Sequence, residues 1–154
     1  MNLRHDIINC HIVRAISPRD YEFLQLRRTK GTFMGETWGT VRGGIEPGET
    51  AWQAALRELR EETSLVPLEI YQLDTLDMFY LAAEDSIRLT PGFCAIVPPD
   101  APITLNEEHD QHRWLSRDAI VQLTLFPGER QQLEELIREI LDDGPAKPHL
   151  RIQW

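Results

Sequence analysis

The sequence predicts an α/β (α+β) fold, a sheet with helices packed on it, and three observations carry that prediction. Two β-rich runs, Ile8 to Ile16 and Glu22 to Arg28, flank the turn cluster Ser17-Pro18-Arg19-Asp20 and read as a hairpin. Thr50 followed by Gln53 is a capping-box pattern, which starts a helix near Ala51. Leu133, Leu136, Ile137, Ile140 and Leu141 recur at helical spacing between Glu129 and Leu141, so a longer amphipathic helix is expected there to pack on the sheet.

The other elements follow in chain order. Lys30 to Thr37 is glycine-punctuated loop, and Trp38-Gly39-Thr40-Val41 is a short strand leading into Arg42-Gly43-Gly44. The helix from Ala51 runs through Ala54, Ala55, Leu56 and Leu59 to about Glu62 without Gly or Pro, and Thr63-Ser64 breaks it. Leu68 to Leu81 and Ser86 to Val97 read as two strands around the acidic turn Ala83-Glu84-Asp85. Pro98-Pro99-Asp100-Ala101-Pro102 forces a loop, because proline donates no backbone hydrogen bond. His112 to Leu115 is a last short strand, and Ser116-Arg117-Asp118 caps a small helix. The tail, residues 142–154, reads as irregular, a loose end or an oligomer contact through Trp154.

Length and composition limit the classes of function. A chain of 154 residues can bury one core, so a single domain over residues 1–154 is expected. With 42% hydrophobic and 27% charged residues it falls outside the disordered and membrane-spanning classes. The start, Met1 to Asp6, lacks the features of a leader and no apolar run is long enough to cross a bilayer, so a cytoplasmic location without membrane partners is expected. Cys10 and Cys94 lie in apolar runs with no His or Cys at ligand spacing, where a thiol packs as a small apolar group. A net charge of −9 repels polyanions and argues against a nucleic-acid polymer as partner. Small nucleotides stay compatible, because their phosphates arrive with divalent cations that an acidic site accepts.

The chemistry is concentrated between Gly43 and Leu65. Glu58, Glu61 and Glu62 stand at i, i+3 and i+4, so a helix projects their carboxylates from one face, within reach of a shared cation. Mg²⁺ prefers such oxygen donors. Gly43, Gly44 and Gly48 let backbone approach a metal or phosphate closely. An isolated acidic triplet would equally suit a solvated helix face neutralised by Arg57 and Arg60.

The surrounding residues decide between these readings, because the segment resembles the Nudix box. That box is a glycine, five residues, a glutamate, seven residues, then Arg-Glu-apolar-any-Glu-Glu-any-Gly-apolar. Gly43, Glu49, Arg57, Glu58, Leu59, Glu61, Glu62 and Leu65 all fall on it, while Ser64 departs where the family has glycine. That glycine ends the helix in a left-handed turn, so serine either costs roughly 1 kcal/mol there or shifts the helix end, but removes no ligand. The resemblance implies a Nudix-type α/β/α sandwich, a mixed β-sheet between helices with the box as loop-helix-loop. It also implies Mg²⁺, with Mn²⁺ as the alternative, held by Glu58, Glu61, Glu62 and the carbonyl of Gly43 or Gly44. Arg57 would then pair with a box carboxylate such as Glu49 and keep the acidic face in register.

Glu108-His109-Asp110-Gln111-His112-Arg113-Trp114-Leu115 is similar to a segment of several Nudix enzymes in which Glu-His precedes a basic-Trp-Leu strand. By that resemblance Glu108 is the candidate for a further metal ligand or the general base, with Glu107 and Asp110 as competitors and Glu58 as the base otherwise. His109 and His112 either meet phosphate or are partly exposed loop histidines, and Trp114 packs in the core. Arg27, Arg28, Lys30 and Arg42 flank the glycine loop as candidate phosphate contacts, Arg27 or Arg28 foremost. Phe33, Tyr80 and Glu84 are candidates for a recognition pocket, although packing explains each equally well.

The stretch from Trp38 to Gly43 is similar to that of nucleoside triphosphate and dihydroneopterin triphosphate pyrophosphatases. The expected reaction is therefore hydrolysis of a (deoxy)nucleoside triphosphate to monophosphate and pyrophosphate by a monomer or homodimer. The alternative is a dinucleoside polyphosphate hydrolase of the diadenosine tetraphosphate type. A non-catalytic nucleotide-sensing module is the reading of another class, and the complete carboxylate set argues against it.

Overall fold

The long apolar run near the N-terminus becomes a strand covered on both faces, as expected of the centre of a mixed sheet. The computed structural model describes residues 1–154 and contains β1 (Asn2–Arg4), β2 (Ile7–Ser17), β3 (Asp20–Arg28), β4 (Trp38–Gly39) and β5 (Val41–Gly44) before α1 (Ala51–Thr63). Then come β6 (Glu69–Gln72), β7 (Asp77–Leu81), β8 (Ser86–Thr90), β9 (Gly92–Val97) and β10 (His109–Leu115), followed by α2 (Arg117–Leu123), α3 (Pro127–Glu135) and α4 (Lys147–Leu150). Seven strands form one sheet in the order β10-β3-β2-β9-β6, with β4 paired to β3 and β5 to β2. β2 runs antiparallel to β3 and β5 but parallel to β9. A separate three-stranded sheet has the order β1-β8-β7.

The two faces of the large sheet hold two cores. Ile8, Cys10, Leu24, Leu26 and Val41 pack with Ala54, Ala55 and Leu59 of α1 on one face. Val13, Phe23, Tyr71 and Cys94 pack with Ile120 of α2 and Leu133 of α3 on the other. Helices on both faces make this the mixed-sheet sandwich that the resemblance implies. Truncating a fully buried leucine such as Leu59 to alanine would cost about 2–5 kcal/mol. Cys10 and Cys94 are free thiols in different cores, and burial pushes Cys94 up to about 12.

Four expectations need correction. The single strand expected from Leu68 to Leu81 is two: Leu73 N–H turns to Gly92 O at 2.9 Å, Asp74 and Thr75 N–H bond to the Glu135 carboxylate at 2.7 and 2.8 Å, and the chain then enters the small sheet. Ser86 to Val97 splits likewise at Pro91, which has no amide hydrogen for a ladder. The long C-terminal helix is α-helical only to Glu135; Leu136–Leu141 is wound as π-helix, with Asp142 N–H on Ile137 O at 2.8 Å, and buries Leu136, Ile140 and Leu141. The tail is anchored: Leu150 is buried and Ile152 N–H bonds to Ile70 O at 2.9 Å, while Trp154 is exposed. No helix is long and apolar enough to cross a membrane.

Between α3 and the sheet lies a buried polar network. Asn9 Nδ2 and His11 Nε2 meet Gln132 Oε1 at 3.2 and 3.0 Å, and Asn9 Nδ2 also reaches Asp77 Oδ2 at 3.1 Å. Burial holds His11 neutral and lowers it to about 4. A histidine depressed in the folded state stabilises the protein fully above its unfolded value near 6.5, and that stability is lost as pH falls toward 4. Between those pH values the wild type is expected to lose about 3 kcal/mol more than His11→Gln, as read by denaturant titration at each pH. Equal losses would show that His11 is not held neutral.

Candidate metal and nucleotide site

The acidic helix is positioned by its own caps. Gln53 N–H bonds to Thr50 Oγ1 at 3.3 Å, and Thr50 N–H to Gln53 Oε1 at 2.9 Å, completing the capping box. At the other end Ser64 takes the left-handed conformation, φ 65°, with its N–H on Arg60 O at 2.8 Å. Serine therefore performs the turn that glycine would make with less strain. Ala54, Ala55 and Leu59 bury one face of α1, and the same face carries Glu62 inward at its end.

At Gly43, strand β5 lies against this helix without room for a side chain. A Cβ on Gly43 would come within 2.0 Å of Glu58 Cδ. Gly43→Ala is thus expected to displace the Glu58 carboxylate and lower turnover at least roughly tenfold, while costing no more than about 1–3 kcal/mol of stability. Steady-state kinetics beside a thermal melt would check it; unchanged kinetics would show that the position of Glu58 is unimportant.

Arg57 ties the loop to the helix. Its Nε and Nη2 each donate to Glu49 at 2.9 Å, Nη1 donates to Glu58 Oε1 at 2.7 Å and Glu61 Oε2 at 3.3 Å, and Nη2 reaches Gly44 O at 2.7 Å. The hydrogen bond from Arg57 holds Glu49 below the usual carboxylate range. Glu58 is raised by burial, against the opposing pull of Arg57. Ile45 N–H bonds to Asp6 O, so alternation along the antiparallel ladder assigns Gly43 to the next bonded pair and leaves the Gly44 carbonyl outside the ladder, free to face Arg57.

Tertiary structure adds a second carboxylate. Thr29 N–H bonds to Glu108 O at 3.0 Å and Asn106 Oδ1 accepts from Glu108 N–H at 3.1 Å, which fix the turn before β10 beside α1. Glu62, Glu108 and His109 each bring one ligand atom within 4.8 Å of the others. Glu62 is only 1% exposed and its Oε2 has no hydrogen-bond partner. Burial first, then Glu108, pushes Glu62 up to about 9. Two carboxylates and an imidazole facing one another around a buried, unpaired oxygen fit a divalent cation, whose charge would offset both the burial and the repulsion. Glu58 is turned to Arg57, and Glu61 has a side chain 55% exposed at the rim.

Beside this cluster opens a shallow, solvent-open cleft of about 70 Å³, walled by Arg28, Trp38, Arg42, His109, Phe126 and Glu129 among others. His109 belongs to both the cluster and the cleft wall, so the two adjoin. Arg28 lies in the wall with its Nε on Phe33 O at 2.7 Å. Arg27 is outside it, held in a bidentate pair with Asp110 at 2.8 and 3.0 Å, because successive strand residues face opposite ways. That pair also occupies Asp110. Arg42 binds Glu129 at 2.8 Å and Asn9 Oδ1 at 2.9 Å. Arg113 stacks on Trp38 at 4.1 Å and Arg14 on Trp114 at 4.0 Å.

The recognition candidates Phe33, Tyr80 and Glu84 are not in the cleft wall. Phe33 is exposed, Tyr80 bonds to Asp85 at 3.0 Å, and Glu84 pairs with Arg88 in the small sheet's region. Phe126 and Glu129 take their place, and no local signal marked them: Glu129 opens an amphipathic helix, and its approach to Arg42 depends on how α3 packs.

Comparison with known proteins agrees with this fold. A family model described as NUDIX domain matches residues 11–136. The chain is 28% identical over 131 residues to the asymmetrical bis(5'-nucleosyl)-tetraphosphatase of Rattus norvegicus, covering 84% of this chain and 87% of that protein. It is 32% identical over 113 residues to the dihydroneopterin triphosphate diphosphatase of Escherichia coli (strain K12), covering 65% and 74% respectively. A crystal structure of a C. elegans Ap4A hydrolase binary complex superposes with a TM-score of 0.72 at 19% identity, covering 92% of this chain and 99% of the other.

Proposed function

The chain belongs to the Nudix family, and from that premise we propose that it is a Mg²⁺-dependent pyrophosphohydrolase that cleaves a (deoxy)nucleoside triphosphate into monophosphate and pyrophosphate. The observation that carries this reading is the cluster of Glu62, Glu108 and His109 at the edge of a cleft with aromatic and arginine walls. A nucleoside suits Trp38 and Phe126, and its phosphates then extend past Arg28 to the acidic cluster.

Glu58, Glu61, Glu62 and Glu108, with a carbonyl of Gly43 or Gly44, would hold the cation. Its chemistry when bound is neutralisation of phosphate charge and polarisation of the phosphorus–oxygen bond. Glu108 accepts a proton from the attacking water as the new phosphorus–oxygen bond forms, and the anhydride bond opposite breaks to release pyrophosphate. Arg28 offsets charge on the phosphates. Arg57 touches no reacting atom in this scheme; it positions Glu58 and the Gly44 carbonyl.

The relative from Rattus norvegicus, which matches more of the chain than the bacterial one, supports a second reading, a dinucleoside polyphosphate substrate. The test is a panel of nucleoside triphosphates, pterin triphosphates and dinucleoside polyphosphates with Mg²⁺, with products identified by ³¹P spectroscopy in ¹⁸O-water. Pyrophosphate and a monophosphate from one triphosphate are expected. Efficient turnover of dinucleoside polyphosphates alone would move the assignment to the second reading, and full turnover after chelation would remove both.

A further inference from the structure

We propose that His109 is a nitrogen ligand to the cation held by Glu62 and Glu108, giving that position a mixed oxygen and nitrogen donor set that favours Mn²⁺ and Co²⁺ over Mg²⁺. The inference rests on the metal-dependent reading above and adds to it a residue and a selectivity.

Two separate groups at this point lack what their burial requires. His109 is 6% exposed and its Nδ1 has no partner; Glu62 is 1% exposed and its Oε2 has none. Leaving either unsatisfied costs about 1–3 kcal/mol, and a cation bound by Glu62, Glu108 and the His109 ring would relieve that cost. The three ligand atoms lie within 4.8 Å of one another, a spacing that a single ion can bridge.

The backbone is built to aim the imidazole there. His109 pairs with Arg28 and Gln111 pairs with Arg27, so Asp110 is the extra residue of a β-bulge. A bulge re-aims side chains, and here it sends Asp110 out to Arg27 while His109 turns inward to the carboxylates. His112, on the same strand, is exposed and belongs to no such cluster.

The donor set determines the preference. Mg²⁺ keeps to oxygen ligands and waters, whereas Mn²⁺, although it too suits oxygen donors, accepts an imidazole beside carboxylates more readily than Mg²⁺, and Co²⁺, further along the first transition row, binds it more strongly still. Glutamates alone would confer only the ordinary advantage of those ions; the nitrogen adds to it. A bound Mg²⁺ is expected to use the carboxylates and leave the ring, while Mn²⁺ and Co²⁺ take both.

The test loads the whole protein with one equivalent of Mn²⁺ and no nucleotide, and reads spin-echo modulation in pulsed EPR. Modulation from a directly bound ¹⁴N is expected, changing to ¹⁵N in protein made with ¹⁵N-histidine, a control that needs no variant. The modulation should vanish in His109→Gln and persist in His112→Gln. By titration, His109→Gln should weaken Mn²⁺ and Co²⁺ at least roughly tenfold, a size that changes around metal ligands commonly reach, and Mg²⁺ less than about threefold. Bound Mn²⁺ without nitrogen modulation, its loss in His112→Gln instead, or an equal fall for all three ions would overturn the proposal. Nucleotide turnover with Mg²⁺ but no nitrogen modulation would remove His109 as a ligand and leave the functional reading standing. Absence of any metal-dependent turnover would remove that reading itself.

Discussion

Glu62→Gln is expected to reduce turnover roughly a thousandfold, about 4 kcal/mol of lost transition-state stabilisation, and at the same time to make the protein more stable in chelator. The two effects have one cause. Glu62 is nearly fully buried, faces Glu108 and keeps one oxygen without a partner, so its carboxyl costs folding energy wherever no cation offsets it. Glutamine keeps the shape, removes the charge and so relieves that cost while losing the cation's ligand. Melting curves in chelator and in Mg²⁺, beside initial rates, would read both signs. The wild type should gain stability on adding Mg²⁺ and the variant should gain little, since an ion stabilises only the state that binds it. Near-wild-type rates would remove Glu62 from the site. The same substitution at Glu61 is expected to cost roughly a hundredfold, because that side chain sits at the exposed rim beside Arg57.

Glu108→Gln is expected to lower turnover by roughly a hundred- to ten-thousandfold. Its role then shows in what else changes. As general base alone, Glu108 would leave metal affinity nearly intact on substitution, and the acidic limb of the pH-rate profile would disappear. As a ligand it would take metal affinity down with turnover, and its place with Glu62 and His109 gives it the geometry for this. A carboxylate on a mobile loop would change neither by a measurable amount, and its loss would alter stability by less than about 0.5 kcal/mol. Rates across a pH series at saturating Mg²⁺, with metal titration of the same preparation, separate the three outcomes. Wild-type-like rates would make Glu58, raised by burial and already beside Arg57, the candidate for the base.

The parts of this protein that could be read from its residues are those governed by local rules. The spacing of Glu58, Glu61 and Glu62 puts them on one side of a helix because periodicity is a property of the backbone alone. Thr50 with Gln53, and Ser64 at the other end, mark the limits of α1 for the same reason, since caps satisfy amides and carbonyls a few residues away. Helix, hairpin and loop could therefore be placed before any packing was known. The break after Gln72 could not be read, because it depends on Glu135, which reaches Asp74 and Thr75 from α3 far along the chain, whereas Pro91 marks the second break in the residues themselves.

The site divides along the same line. Residue order showed that an acidic helix follows a glycine loop with Arg57 nearby, but not which carboxylate would be buried. Packing of the turn before β10 against α1 decided that, bringing Glu108 and His109 to Glu62 across the fold and leaving Glu61 outside. Strand direction separated Arg27 from Arg28, and the packing of α3 carried Glu129 to Arg42. Charge and periodicity travel with the sequence; desolvation and ligand distance exist only once distant segments meet, and it is these that set one glutamate among several, Glu62, apart as the buried member of the candidate site.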